Sequence, residues 1–361
     1  MEMFAEDHGL CSLYHEPLDK KRDITSVCSL LPSLFGLIIV LCSAVVHGFT
    51  NSDHQRMNTT YDQFGPTPRI CFDFLKCEAG LIQYEARSQA ALESLSLKAL
   101  RKMISNATWL NLSAKSHTLL LVKRVPEKRL REANRNVTNV LKYTYASVEP
   151  ITHAVEVALL NQLRQEKQSH QFKFFSFLAS VEGTRRTAGL VFKSMAHSRL
   201  QERIALDLFP MMKGESGGSD QGKVPQWHST HGDVFMPPEF SIDIQPVRVI
   251  TYPGSSLETI EPGAYYVPES ENQDQVAFDS FIMANDILYI FQFSIVPNHS
   301  IEPEILCFFL RGSLPPRMEW RFVVVVPPRS KISCPQPQDN CLKGKVPNEI
   351  RLFSAVLKKP T

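Results

Sequence analysis

The stretch that most constrains the fold is Phe278–Ser300, FDSFIMANDILYIFQFSIVPNHS. Apolar and β-branched residues flank Asn285-Asp286, a pair suited to tight turns. The pattern predicts a strand over Phe278–Met283, a turn at Asn285-Asp286 and a second strand over Ile287–Ile295. Side chains two apart on a strand share a face, so Gln292 and Ser294 point one way and Phe291 and Phe293 the other. Asp279 lies thirteen residues before Gln292, and a hairpin brings the two side by side. An acid beside a Gln-x-Ser pair on adjacent strands is the geometry of a metal-assisted hydrolase site, or of its remnant.

Around this hairpin the sequence predicts an α/β arrangement. Trp320–Val326 is a short apolar run ended by Pro327-Pro328, as expected of a strand buried on both faces of a mixed sheet. Ile350–Leu357 reads as a last strand, at the sheet edge. Phe240–Tyr252 alternates as a strand does, and His299–Leu310, which contains Cys307, has helical spacing. Helical patterns also cover Ala79–Ile104, Pro150–Gln168 and Thr184–Leu208, with a strand at Lys115–Arg124. Residues 213–238 are rich in Gly, Ser and Pro and read as a flexible loop. Within it, Gly217–Lys223 has the spacing of a P-loop, but Val224 stands where a Ser or Thr must ligate Mg2+. Pro225 follows at once, and Met211-Met212-Lys213 is a poor buried strand, so no nucleotide is expected there.

The 361 residues allow one large or two modest domains. Residues 1–28 read as a disordered leader ending in Lys20-Lys21-Arg22, and 29–49 form an uncharged apolar segment. That segment is long enough to cross a bilayer, and Val46-His47-Gly48 resembles a signal-peptidase site. A membrane or secretory role for 29–49 and a buried apolar helix both stay open. Five Asn-x-Ser/Thr sequons, at Asn58, Asn106, Asn111, Asn136 and Asn298, favour the secretory route. Otherwise a nuclear or cytoplasmic location is expected. Of the eight cysteines, none form a Cys-x-x-Cys pair, and none sit near His at zinc spacing. Charge is uneven: Lys98–Lys142 carries eleven Lys or Arg against two Glu, while Val249–Leu310 carries nine acids and no Lys or Arg. The basic 98–142 region suits a polyanion such as nucleic acid, and two solvated surfaces explain the pattern equally well.

Several of these runs together resemble one family. Ala188-Gly189-Leu190-Val191-Phe192-Lys193-Ser194-Met195-Ala196-His197 is similar to its A-G-x-x-F-E-x-x-x-H helix. Gly263–Pro268, the hairpin, Trp320–Pro328 and Ile350–Leu357 follow in its order. Over about Gly65–Leu357 the chain resembles the Crinkler and retrotransposon-hot-spot (RHS) proteins, whose C-terminal domain has a restriction-endonuclease-like fold of the PD-(D/E)XK type. The resemblance implies a mixed sheet flanked by helices over 171–361. It also implies that 60–170 is a mainly helical remnant of a P-loop NTPase lid and connector, with Arg69 as the lid arginine. It further implies Asp279 and Gln292 as Mg2+ ligands, Ser294 in the slot of a water-orienting lysine, and Lys193 where a metal-facing glutamate belongs. A neutral amide adds no charge to a hard cation, and Lys193 opposes one. The expectation is therefore a nuclease-like protein with weak or degenerate catalysis, at most a Mg2+-dependent phosphodiesterase, that binds nucleic acid. The alternative is a secreted or membrane-anchored interaction protein, effector-like and without enzymatic activity.

Overall fold

A computed structural model describes residues 50–64, 78–108, 119–124, 146–214, 226–231, 236–252, 257, 259–269, 278–298, 318–335 and 351–360. The chain divides into two compact units: one holds residues up to 93 together with 151–154, the other 94–150 and 155–361. In the first, the described elements are helices α1 (Asn51–Phe64) and α2 (Glu78–Glu93). Asp53 lies in the first turn of α1, and Thr50, just before the helix, donates to its carboxylate from both backbone and hydroxyl. The helical pattern over 79–104 is two helices rather than one, because the chain breaks at residues 94–96. Ser96 restarts it, its Oγ accepting from the Ala99 amide at 3.1 Å as an N-cap does.

The second unit opens with α3 (Leu97–Thr108) and a two-stranded sheet of β1 (Leu120–Arg124) antiparallel to β2 (Ala146–Pro150). Helices α4 (His153–Arg164, whose first two residues belong to the first unit), α5 (Gln168–Ser180) and α6 (Arg185–Gln201) follow. Then come β3 (Ile204–Lys213), β4 (Gln226–Ser229), β5 (Phe240–Ile244), β6 (Arg248–Tyr252), β7 (Ala264–Pro268), β8 (Ser280–Ala284), β9 (Ile287–Phe293), β10 (Glu319–Val326), β11 (Ser333–Pro335) and β12 (Arg351–Val356). The ten strands β3–β12 form one sheet, ordered β11-β4-β3-β12-β10-β9-β8-β7-β6, with β5 on β3. It is a mixed sheet: β9, β10 and β12 run parallel, as do β6 and β7, and the other pairs are antiparallel. The chain is thus α/β.

Four further expectations change. Helix α6 stops at Gln201 instead of reaching Leu208, because Ile204, Leu206 and Leu208 are buried at period two, a strand's spacing. The same strand runs on through Met211-Met212-Lys213, with Met211 buried and Met212 exposed. Strand β12 is not at the edge: it lies between β3 and β10, and Leu352, Phe353, Ser354 and Ala355 are all buried. Residues 240–252 are two strands, β5 and β6, rather than one. The 1–28 leader, the 29–49 apolar segment, the Gly217–Lys223 run and the helix expected at 299–310 lie outside the described residues. No described helix is long and apolar enough to cross a membrane.

The sheet has two sharply different faces. One carries Tyr266, Phe281, Leu288, Ile290, Trp320, Phe322, Val324 and Val326, all in one apolar cluster. On this side His231 ties three segments together. Its Nε2 donates to the Ser330 carbonyl, its Nδ1 accepts from Ser354 Oγ at 2.9 Å, and its own carbonyl accepts from Lys331 Nζ at 2.6 Å. The opposite face carries Tyr265, Phe291, Phe293, Val323 and Val325 and receives α6. A methyl built on Gly189 of α6 meets Ile295 at 3.7 Å, and Phe293 lies edge-on to His197 with ring centroids 4.8 Å apart. Helix α6 also buries a second side, where Phe192 packs at a tilt against Phe175 of α5 with ring centroids 5.3 Å apart.

The β8–β9 hairpin is closed by the two-residue loop Asn285-Asp286, since the ladder runs to Ala284↔Ile287. Both loop residues have positive φ, +52° and +58°, the backbone of a type I′ turn that matches the strand twist. Asn tolerates the left-handed region well, and glycine is the residue best suited to the second position. Asp286→Gly is therefore expected to raise stability by up to ~1 kcal/mol in urea melts, with an unchanged m-value.

Candidate functional site

The site is built on the entry to β8. The ladder pairs Ser280 with Phe291, yet the Asp279 amide also donates to the Phe291 carbonyl, at 2.9 Å. Two residues thus oppose one, the count of a β-bulge. In an unbroken register Asp279 would sit directly across from Gln292, on the same face. The extra residue turns its carboxylate toward α6 instead. There Oδ1 meets Lys193 Nζ at 2.7 Å, and Oδ2 accepts from the Phe293 amide at 2.5 Å. The Asp279 side chain is 7% exposed and that of Lys193 22%, so the pair is largely withdrawn from water.

Lys193 and His197 are four residues apart on α6 and face the sheet together. His197 starts a short relay. Tyr265 Oη donates to Ser280 Oγ at 2.8 Å, so the 3.0 Å bond between His197 Nδ1 and Tyr265 Oη has the imidazole as donor. That leaves Nε2 as a bare acceptor, sealed and without a hydrogen-bond partner among the described residues. Burial first, then the Lys193 and Arg164 cations, hold the imidazole down to about 3. Burial likewise raises the Tyr265 phenol, and its bond to Ser280 works the other way. Arg164 of α4 donates from Nε to Ser194 Oγ at 3.0 Å, placing a second cation beside the helix.

The other two candidate residues are elsewhere. Gln292 shares its face of β9 with Leu288 and Ile290, the face turned away from α6. Its Oε1 is sealed and has no hydrogen-bond partner among the described residues. Ser294 closes a local turn, donating to the Val296 carbonyl at 3.1 Å and accepting from the Val296 amide at 3.2 Å. Of the four candidates, Lys193 and Asp279 meet, while Gln292 and Ser294 do not join them. The expected metal pair Asp279/Gln292 is divided by the sheet, and the reason is the bulge.

The residues present do not fit a divalent cation. One oxygen of the single carboxylate is held by an ammonium and the other by a backbone amide, and the neutral amide that should help lies across the sheet. A hard cation takes several oxygen ligands at 2.0–2.6 Å, and those of Asp279 are already committed. No group of three or more His, Cys, Asp or Glu is placed to hold a metal ion among the described residues. Tyr265 and Ser280, which sequence reasoning did not single out, link His197 to the hairpin. The one signal for them was position: Tyr265 lies in the Gly263–Pro268 run and Ser280 follows Asp279 directly. Compared with known proteins, the chain matches no family model, no curated protein and no solved structure.

The relay carries a pH consequence. His197 titrates near 3 when folded and near its usual 6.5 when unfolded. Between those values the unfolded state binds the extra proton, so stability is full above about pH 6.5 and falls as pH drops toward 3. His197→Gln keeps a side chain able to reach Tyr265 but does not titrate. Urea melts at about pH 7 and 4.5 are expected to show the wild type losing roughly 2–3 kcal/mol more than the variant. Equal losses would remove His197 from the account.

Proposed function

We propose that the chain works by binding rather than by hydrolysis: a nuclease-like scaffold of the Crinkler and RHS type in which an internal ion pair takes the place of a catalytic metal. The observation that carries this reading is the 2.7 Å contact between Lys193 Nζ and Asp279 Oδ1. A lysine ammonium supplies positive charge to the carboxylate but offers no coordination site for water or for a phosphate oxygen. It therefore neither generates hydroxide nor bridges to a scissile phosphodiester, the two things a hydrolytic metal does. The mixed α/β sheet with a helix across the hairpin supports the nuclease-like part, since that fold places its first helix and core hairpin together. The interaction-protein reading makes the same statement about chemistry and differs only in the partner.

The basic run gives the nucleic-acid part its support. Among its described residues, Lys98, Arg101 and Lys102 lie in α3, and the Arg101 guanidinium stands 4.5 Å over the Phe177 ring. Phosphate contacts release counterions, so binding of this kind weakens steeply with salt.

The test uses the full chain with supercoiled plasmid and with single-stranded DNA in millimolar Mg2+ or Mn2+. The expected result is intact DNA, with wild type and Asp279→Ala indistinguishable, and no saturable Mn2+ binding by calorimetry. Cleavage that Asp279→Ala abolishes would refute the non-catalytic reading. DNA affinity is expected to fall by about tenfold or more between 50 and 200 mM salt, the loss expected for a few phosphate contacts. No binding, or binding insensitive to salt, would leave a scaffold for some other partner.

A further inference from the structure

A second feature lies on the outside of the second unit, where α3 and α5 pack side by side. Burial of Leu100, Met103 and Ile104 turns Lys98, Arg101 and Lys102 of α3 outward, and all three are exposed. On α5, Lys173 and Phe177 are four residues apart and share a face; the lysine is exposed and the ring half-buried.

Neither helix contains an Asp or Glu, and none of the four cations has an ion-pair partner among the described residues. Lys98 and Lys102, one turn apart, repel each other. Among the described residues only the contact between Arg101 and Phe177 draws on this charge, and the rest is open to an external polyanion.

The ring beneath Arg101 selects the kind of polyanion. It holds the guanidinium 4.5 Å from its centroid, within cation–π range, so the side chain is ordered before a partner arrives. Arg101 is exposed, so its side away from the ring faces water. A nucleobase has a π-face that a guanidinium attracts. In a duplex those faces are hidden within the stacked pairs, and only a single strand turns one outward.

Resting on the nucleic-acid reading above, we propose that this surface takes a single strand. One base lies against the outer side of Arg101, and the neighbouring phosphates meet Lys98, Lys102 and Lys173.

The experiment follows the fluorescence anisotropy of a labelled DNA strand of about 20 nucleotides, ample for one such site, and of its duplex, with the full chain in EDTA. The single strand is expected to bind about tenfold more tightly than the duplex. Arg101→Lys keeps the charge and loses the flat face. It is expected to weaken single-strand binding by about fivefold or more, with the salt slope and the duplex affinity unchanged. Lys98→Gln loses a phosphate contact and is expected to lower the single-strand salt slope by about 0.7. A change in the fold alone moves both DNA forms alike. Should Arg101→Lys alter the circular dichroism, Phe177→Leu, which keeps the arginine and removes the ring beneath it, carries the same expectation. Duplex binding equal to single-strand binding overturns the proposal and leaves salt-sensitive DNA binding standing. A folded Arg101→Lys with wild-type single-strand affinity does the same. Absence of salt-sensitive binding to either form overturns the proposal together with the nucleic-acid reading.

Discussion

The hairpin site depends on a carboxylate that the backbone has turned out of register. Asp279 sits at a β-bulge, and its two oxygens are divided between a lysine on the covering helix and a main-chain amide of the partner strand. The amide bond holds the bulge, and the lysine bond fixes α6 over it. Burying two charges is costly unless each is paired and hydrogen-bonded; here both carboxylate oxygens are engaged, and the lysine keeps part of its side chain in water. His197, one turn further along the same helix face, adds a neutral link through Tyr265 to Ser280, the residue after the aspartate. Helix, bulge and hairpin thus form one connected polar seam within an otherwise apolar interface.

That seam also limits what the hairpin can do. A sheet with α6 on one side and the aromatic and valine cluster on the other keeps groups on opposite faces out of reach of one another. Gln292 and Asp279 are neighbours along the ladder and strangers across it. A hydrolytic centre needs its ligands on one face with room for a water between them. The hairpin instead offers a closed ion pair on one side and, on the other, an amide oxygen with no partner among the described residues.

Much of the framework was legible in the sequence. The Asn285-Asp286 turn, the strands flanking it and the valine run of β10 follow from turn chemistry and from burial on both faces. What the sequence could not convey was order across the sheet. Arg351–Val356 is short and near the chain's end, features that suggest an edge, yet Ser354 is buried because His231 satisfies its hydroxyl from far along the chain. The overlong helix at 184–208 failed for a local reason: Ile204, Leu206 and Leu208 fit a strand's period, and a good helical run just before them hid the change. The site failed by one residue. Period-two reasoning places Asp279 beside Gln292, and a single inserted residue at a bulge reverses the face, an event with no reliable sequence mark when no glycine is present. Lys193, a departure from an expected acid and a candidate site residue in the sequence, is the side chain that ion-pairs with the aspartate.

The most direct measurement is a double-mutant cycle on this pair, using Lys193→Met, Asp279→Asn and the two combined, with stability from urea unfolding. A single change leaves one charge poorly compensated. Each is expected to cost on the order of 2–3 kcal/mol, somewhat less than for a fully buried pair because Lys193 keeps part of its side chain in water. The double variant is expected to cost clearly less than the sum, giving a coupling of at least ~1 kcal/mol. Additive losses would mean that lysine and aspartate do not depend on each other, and would contradict the central claim that this ion pair, and not a metal, completes the hairpin.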